Sequence, residues 1–330
     1  MWYNIEDFCA AEVSLVSGVP GEEGSYMVQY VAKRFFAAVS TLFIVSTLTF
    51  FLMNIVPGGP FLSEKTNSQT LERMNAKYGL DRPIHEQYVN YMGRLVQGDL
   101  GISYKRQGFT VNEIITEKFP VSARLGLLTV AWSIVSGLLL GTLAAIKRNK
   151  LLDRLVMFIC TVGISVPGFI IGTMLIYIFA ERMGWVSALG INTPGQYILP
   201  IITLSMQPMS YIARLIRSNM LEVIDQDYIK TARAKGLPSS RIIFKHIMRN
   251  TIIPLITYVG PMTAFVITGG FYVERLFQIP GLGDYFVRSV ETRDYPLIMG
   301  LTIFLAMLII AANFIVDIVY RIVDPRIKLQ

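Results

Sequence analysis

Six stretches of apolar residues punctuate the chain, at about 35–56, 125–146, 155–180, 197–213, 251–272 and 297–320. Most are near 20 residues long, the length that a helix rising 1.5 Å per residue needs to cross a hydrocarbon core of roughly 30 Å. The pattern predicts an all-α polytopic membrane protein with six transmembrane helices. The third run carries Pro167 and Gly168, which predict a kink. The fourth, holding Pro200 and Pro208, is the shortest and is closed by Arg214 and Arg217.

The polar segments complete the organisation. Residues 57–121 are too long and too patterned for a bare linker, with helical periodicity over Ser68–Tyr78 and Ile84–Leu95, and predict a small external subdomain between the first two spans. Residues 1–26 are acidic and hold Gly18, Pro20, Gly21 and Gly24, so they read as a loosely ordered N-terminal extension. They lack the basic start and apolar core of a signal peptide. Residues 27–56 then form the start and first span, and 122–330 hold the remaining five spans with a polar loop at 214–250.

Composition agrees with this reading. Hydrophobic residues make up 53% and charged residues 16%, where a soluble domain carries about 25% charged. The net charge of +7 points to no nucleic acid, because basic loops are expected wherever a membrane protein faces the cytoplasm. Lys33, Arg34, Lys147, Arg148, Lys150, Arg154, Lys230, Arg233, Lys235 and Arg241 fall on one side of the six-span arrangement, which places both termini and the 214–250 loop in the cytoplasm. Cys9 and Cys160 form neither a disulfide framework nor a metal cluster.

Candidate chemistry is concentrated in the stretch DQDYIKTARAKGLPSSRIIFKHIMRNTIIP, from Asp225 to Pro254. Asp227 suits the N-cap of a helix starting at Tyr228. Gly236 suits the left-handed position beyond its end, and Pro238 prevents continuation. Such a helix is only about 12 Å long and marginal in water, so it requires a partner surface. Elsewhere the spans contain almost no ionisable groups; Arg124 and Asp317 lie near span ends. Ion-coupled transport usually depends on intramembrane carboxylates or histidines, and His85 and His246 lie in aqueous regions. No GxxxxGK[ST] loop is present to hold nucleotide phosphates. Energy for any active transport must come from another subunit.

DYIKTARAKG at Asp227–Gly236 resembles the cytoplasmic "EAA" loop of ABC importer permeases, in the version of the dipeptide and oligopeptide permease family. GDLGIS at Gly98–Ser103, FQIPGLGDYF at Phe277–Phe286 followed by RDYP at Arg293–Pro296, and DPRI at Asp324–Ile327 resemble further signatures of the same branch. Lys230 stands where the general loop has glutamate.

This resemblance implies a type I ABC importer permease fold and no catalytic residue in this chain. It also implies a second homologous permease, two cytoplasmic ATPases that bind ATP and Mg, an extracytoplasmic substrate-binding protein and a peptide substrate. Nickel or another small chelate is the alternative cargo. A polytopic membrane enzyme would require a polar catalytic cluster that the sequence lacks. Asp227, Tyr228, Thr231, Ala232, Arg233, Lys235 and Gly236 are the expected coupling residues. Of these, Tyr228, Thr231, Ala232 and Lys235 share one helical face, while Arg233 and Lys235 serve equally as ordinary cytoplasmic positive charge. Gly98, Asp99, Gly101 and Ser103 are expected to form an external turn that receives the binding protein or is purely structural.

Overall fold

The computed structural model describes residues 22–55, 59–61, 68–106, 108–187 and 189–323, which are helical apart from connecting loops and one isolated bridge between Ile102 and Thr110. The chain divides into two units, Met1–Leu48 and Thr49–Gln330. In the first, the described residues are helix throughout: α1 (Glu22–Ile55) begins five residues before Met27, inside the stretch read as a loose extension. Residues 1–21 and the DPRI motif lie outside the described residues.

In the second unit, α2 (Ser68–Tyr78) and α3 (Ile84–Val96) occupy the expected polar stretches. Phe50 meets Tyr88 and Tyr91 at ring centroid distances of 5.3 and 5.5 Å. The next helix, α4 (Val111–Ile146), starts well before the apolar run suggests. Thr110 and Glu113 form a capping box at its N-terminus, with Glu113 N–H donating to Thr110 Oγ1 at 3.2 Å and Thr110 N–H to Glu113 Oε2 at 2.8 Å. With 36 residues it is about 54 Å long, so its first turns project beyond a hydrocarbon core.

The third apolar run is broken rather than kinked. α5 (Leu151–Ser165) and α6 (Gly168–Leu175), which continues through a wide turn at Ile176–Arg182, meet at 113°. Val166 is extended at φ −90°, ψ 127°, because the ring of Pro167 disfavours helical geometry in the residue before it. The fourth run also differs from expectation. α7 (Ile198–Ile224) continues through Arg214 and Arg217 because both cations have partners within the bundle. α8 (Asp227–Ala234) follows after two residues. A turn at Ile242–Ile247 then leads to α9 (Ile253–Gly269), α10 (Phe271–Leu276), α11 (Leu282–Thr292) and α12 (Tyr295–Val323).

Among the described residues, four helical segments are long and apolar enough to cross a membrane: Ala32–Ile55, Val111–Ile146, Pro254–Leu276 and Tyr295–Ile315. The broken α5–α6 pair makes five. Six crossings are reached only by counting α7, whose composition is more polar because it is the most enclosed helix of the bundle.

Glycines on three neighbours bring their backbones against α7. A Cβ on Gly137 of α4 would lie 2.7 Å from Ile212, and one on Gly141 would lie 2.6 Å from the Ala213 carbonyl oxygen. On the other sides, Gly163 of α5 faces Met206 and Ser210, and Gly172 of α6 faces Thr203. Small residues permit this approach where lipid removes the hydrophobic drive for helix association. Several buried hydroxyls are satisfied within their own helices, as when Thr203 Oγ1 donates to the Leu199 carbonyl at 2.8 Å and Ser133 Oγ to Thr129 at 2.7 Å.

Gly141→Ala is therefore expected to destabilise the bundle by about 1–3 kcal/mol, since the obstructing atom is backbone. Gly93→Ala, at an exposed helical position with nothing within 4 Å, should stabilise by up to about 1 kcal/mol. Thermal unfolding of the two variants in detergent measures the difference.

Candidate functional site

The short helix α8 is pinned to its own chain. Ile229 is fully buried and Ala232 is 6% exposed; both belong to the main apolar core, and α8 rests on the Ile242–Ile247 turn. Asn250 Nδ2 donates to the Tyr228 hydroxyl at 2.7 Å, tying the outer side of α8 to the same following segment. The N-cap is Gln226 and makes no side-chain cap bond. Asp227 is thus the first helical residue rather than the cap, and its carboxylate accepts from Lys230 Nζ at 2.8 Å in an exposed pair worth little.

The C-terminus of α8 forms as expected. Gly236 adopts φ +73°, its N–H donates to the Arg233 carbonyl at 2.9 Å, and the Leu237 N–H donates to Ala232 at 3.4 Å. These two bonds are the Schellman pattern, in which a left-handed residue lets the chain turn back and satisfy terminal carbonyls. The expected contact face needs one correction. Tyr228, Thr231, Arg233 and Lys235 are exposed, but Ala232 points into the protein. Beyond the turn, Phe244 is 72% exposed, and Arg241 and Lys245 extend the open surface. The result is an aromatic and cationic patch on a helix with an apolar underside fixed to the bundle.

At the far end of α4, the GDLGIS and RDYP motifs meet. Gly98 and Gly101 take φ +77° and +93°, and Asp99 Oδ1 accepts the Gly101 N–H at 2.9 Å, closing a tight turn. Asn112 clamps this turn, donating to the Gly98 carbonyl at 2.7 Å and accepting from the Leu100 N–H at 3.0 Å. Asp294, 1% exposed, accepts from the Ser103 hydroxyl, the Tyr104 N–H at 3.0 Å and the Lys105 N–H at 3.4 Å. Burial beside Asp294 pushes the Tyr104 phenol up to about 12. Gly98 and Asp99 are exposed on this turn and Gly101 half-buried, whereas Ser103 is buried.

The FQIPGLGDYF stretch is anchored by another carboxylate. Glu274, 2% exposed, accepts from the Gly283 and Asp284 N–H groups at 2.7 and 3.3 Å, at the N-terminus of α11. The Leu282 N–H donates to Ser122 Oγ of α4 at 2.8 Å. Asp284 in turn pairs with Arg275 at 3.1 Å and Arg288 at 2.7 Å.

Sequence reasoning missed the role of Glu274 and those of three further carboxylates. Asp294 and Asp284 lay inside quoted motifs, but nothing in one strand of sequence indicates which distant amide or cation a carboxylate meets. Asp153 is the third. Arg217 grips it with both guanidinium arms, at 2.6 and 2.8 Å, joining the start of α5 to α7, and Asp153 also accepts the Asn149 N–H at 2.9 Å. Arg217 had read only as a terminating charge. No cluster of three metal-ligating side chains occurs among the described residues.

A membrane-spanning bundle with glycine-mediated packing, a pinned helix at one end and interlocked loops at the other is the architecture of an ABC importer permease. Of the solved structures it resembles, the inward-facing MetNI methionine ABC transporter aligns at TM-score 0.51 and 18% identity, over 64% of this chain and 96% of that one. An amino acid ABC transporter with histidines gives 0.51 and 16%, over 64% and 94%. The chain belongs to the binding-protein-dependent transport system inner membrane component family, whose sequence pattern matches residues 137–329, with the family's N-terminal region matching 27–126. It is 44% identical over 305 residues to the dipeptide transport system permease protein DppB of Bacillus subtilis, covering 92% of this chain and 99% of that protein. It is 41% identical to the oligopeptide transport system permease protein OppB of Haemophilus influenzae, covering 92% and 100%.

Asp294→Asn should loosen the Gly98–Ser103 turn by about 1–3 kcal/mol, because an amide nitrogen would confront the backbone donors that the carboxylate now satisfies. Ser103→Ala should cost less. Rates of limited proteolysis within 99–111 measure both.

Proposed function

We propose that this chain is the permease subunit of an ABC importer carrying di- and oligopeptides inward across the cytoplasmic membrane. Its proposed partners are a second homologous permease, two ATPases that supply the ATP and Mg chemistry, and an extracytoplasmic binding protein. The observation that carries the reading is the combination of a rigidly held α8, with its exposed Tyr228, Thr231, Arg233 and Lys235, and relatives named as dipeptide and oligopeptide permeases over nearly their whole length. The concentration of Lys and Arg around α8 and the α4–α5 loop supports placing that end, and both termini, in the cytoplasm.

In this reading the exposed face of α8 docks on an ATPase. Its buried face, held by Ile229 and Ala232, passes any displacement directly to the Ile242–Ile247 turn and to α7. Two residues separate α7 from α8. The Gly98–Ser103 turn, clamped by Asn112 and Asp294, offers a preformed surface to the binding protein.

Two variants distinguish coupling from folding. Lys235→Glu combined with Arg233→Glu should leave the permease inserted and folded but abolish ATP-driven peptide uptake in proteoliposomes containing the complete importer. Ala232→Glu should instead lower expression and thermal stability, because it buries an unpaired charge. Normal uptake by the first variant would overturn the docking face.

A further inference from the structure

Among the described residues, a polar strip runs along the open side of α7. On α4 the exposed positions Leu127, Leu128, Val135, Leu139 and Leu143 are apolar, as a hydrocarbon-facing helix demands. α7 is covered on most sides, and the narrow part of it that remains open shows Gln207, Tyr211 and Ser218, with half-buried Arg214 beside them. Gln207 lies nine residues into the 27-residue helix, roughly 14 Å from its start and so deep within a core about 30 Å thick. Among the described residues its side-chain amide has no hydrogen-bond partner. The nearby Tyr211 ring, 46% exposed, stacks on Tyr258 of α9 at a centroid distance of 4.2 Å, and neither phenol has a hydrogen-bond partner among the described residues.

An amide carrying two donors and an acceptor is costly to leave unpaired in hydrocarbon. Thr129, Ser133 and Thr203 avoid that cost by bonding to the preceding turn of their own helix. Gln207 does not.

We propose that the strip formed by Gln207 and Tyr211 of α7 with Tyr258 of α9 lines the water-filled route and binds the backbone of the passing peptide. This inference rests on the peptide reading above. An amide and two phenols can donate to and accept from any peptide group, while the stacked rings offer an apolar face to side chains of any kind. Such a lining holds peptides without selecting their sequence. Arg214, one turn beyond Tyr211, donates to Thr161 Oγ1 at 2.6 Å and keeps its positive charge, so a cation borders the neutral residues of the strip.

The test uses the complete importer in proteoliposomes, with Cys9→Ser and Cys160→Ala removing the native thiols. Gln207→Cys and, as a lipid-facing control, Leu139→Cys are treated with a membrane-impermeant thiol reagent. Gln207→Cys should react at least about tenfold faster than the control, as water access requires, and labelling should stop peptide uptake. Equal reactivity, or labelling without loss of uptake, would overturn the proposal. In the chain with native thiols, Gln207→Leu should raise the peptide KM by about tenfold, the loss expected for a hydrogen-bonding group replaced by an apolar one. An unchanged KM would overturn the peptide-binding role. If labelling blocked uptake of a nickel chelate while the unlabelled importer carried no peptide, the route would stand and the peptide reading would fall.

Discussion

The close approach of α4 to α7 is the contact on which the other arrangements depend. Lipid is as apolar as leucine, so helices in a membrane gain little from the hydrophobic effect and associate through packing and polar contacts instead. Gly137 and Gly141 let the two backbones nearly touch at Ile212 and Ala213. Gly163 and Gly172 bring α5 and the start of α6 onto other sides of the same helix. α7 thereby becomes the enclosed axis of the bundle, and the bidentate Asp153–Arg217 pair fixes its lower half to α5. A buried ion pair of this kind contributes more to fixing alignment than to net stability.

This enclosure explains how a helix of only eight residues is held in place. Isolated, α8 would fray. Its order comes from Ile229 and Ala232 beneath it, the Schellman end at Gly236 and the Asn250–Tyr228 bond. The same contacts connect it to α7 before and the Ile242–Ile247 turn after, so movement of α8 displaces both flanking helices together. At the opposite end, Asp294 and Glu274 each gather backbone N–H groups from irregular chain, replacing the water that those groups would otherwise bind. Through Asp294, motifs separated by almost 200 residues become one structure.

Much of the architecture was legible in one dimension, because helical periodicity and glycine geometry are local properties. The polar helices at Ser68–Tyr78 and Ile84–Val96, and the left-handed Gly236, needed no tertiary information. The errors share a cause: periodicity groups residues on a face without saying what covers it. Ala232 was grouped with Tyr228, Thr231 and Lys235, yet it falls just inside the boundary that Ile229 and the Ile242–Ile247 turn define. Asp227 resembled a cap, but the chain enters α8 one residue earlier, at Gln226. Arg217 resembled the end of a span because its partner, Asp153, lies 64 positions away.

The polarity of α7 follows from its position. A helix surrounded by other helices is relieved of the requirement to be apolar on every side, so polar residues can persist there if each has somewhere to bond. Thr203 and Ser205 bond within the helix, Arg214 to Thr161 and Arg217 to Asp153. Ser210 and Asn219 are enclosed with an unpartnered polar atom each, whereas Gln207 and Tyr211 are unpartnered and open. Their needs can be met by water or by a solute, and α7 is also the helix that ends two residues before α8. A displacement of α8 would therefore act on the polar strip through a single continuous helix, which brings the proposed route and the proposed energy input onto the same element.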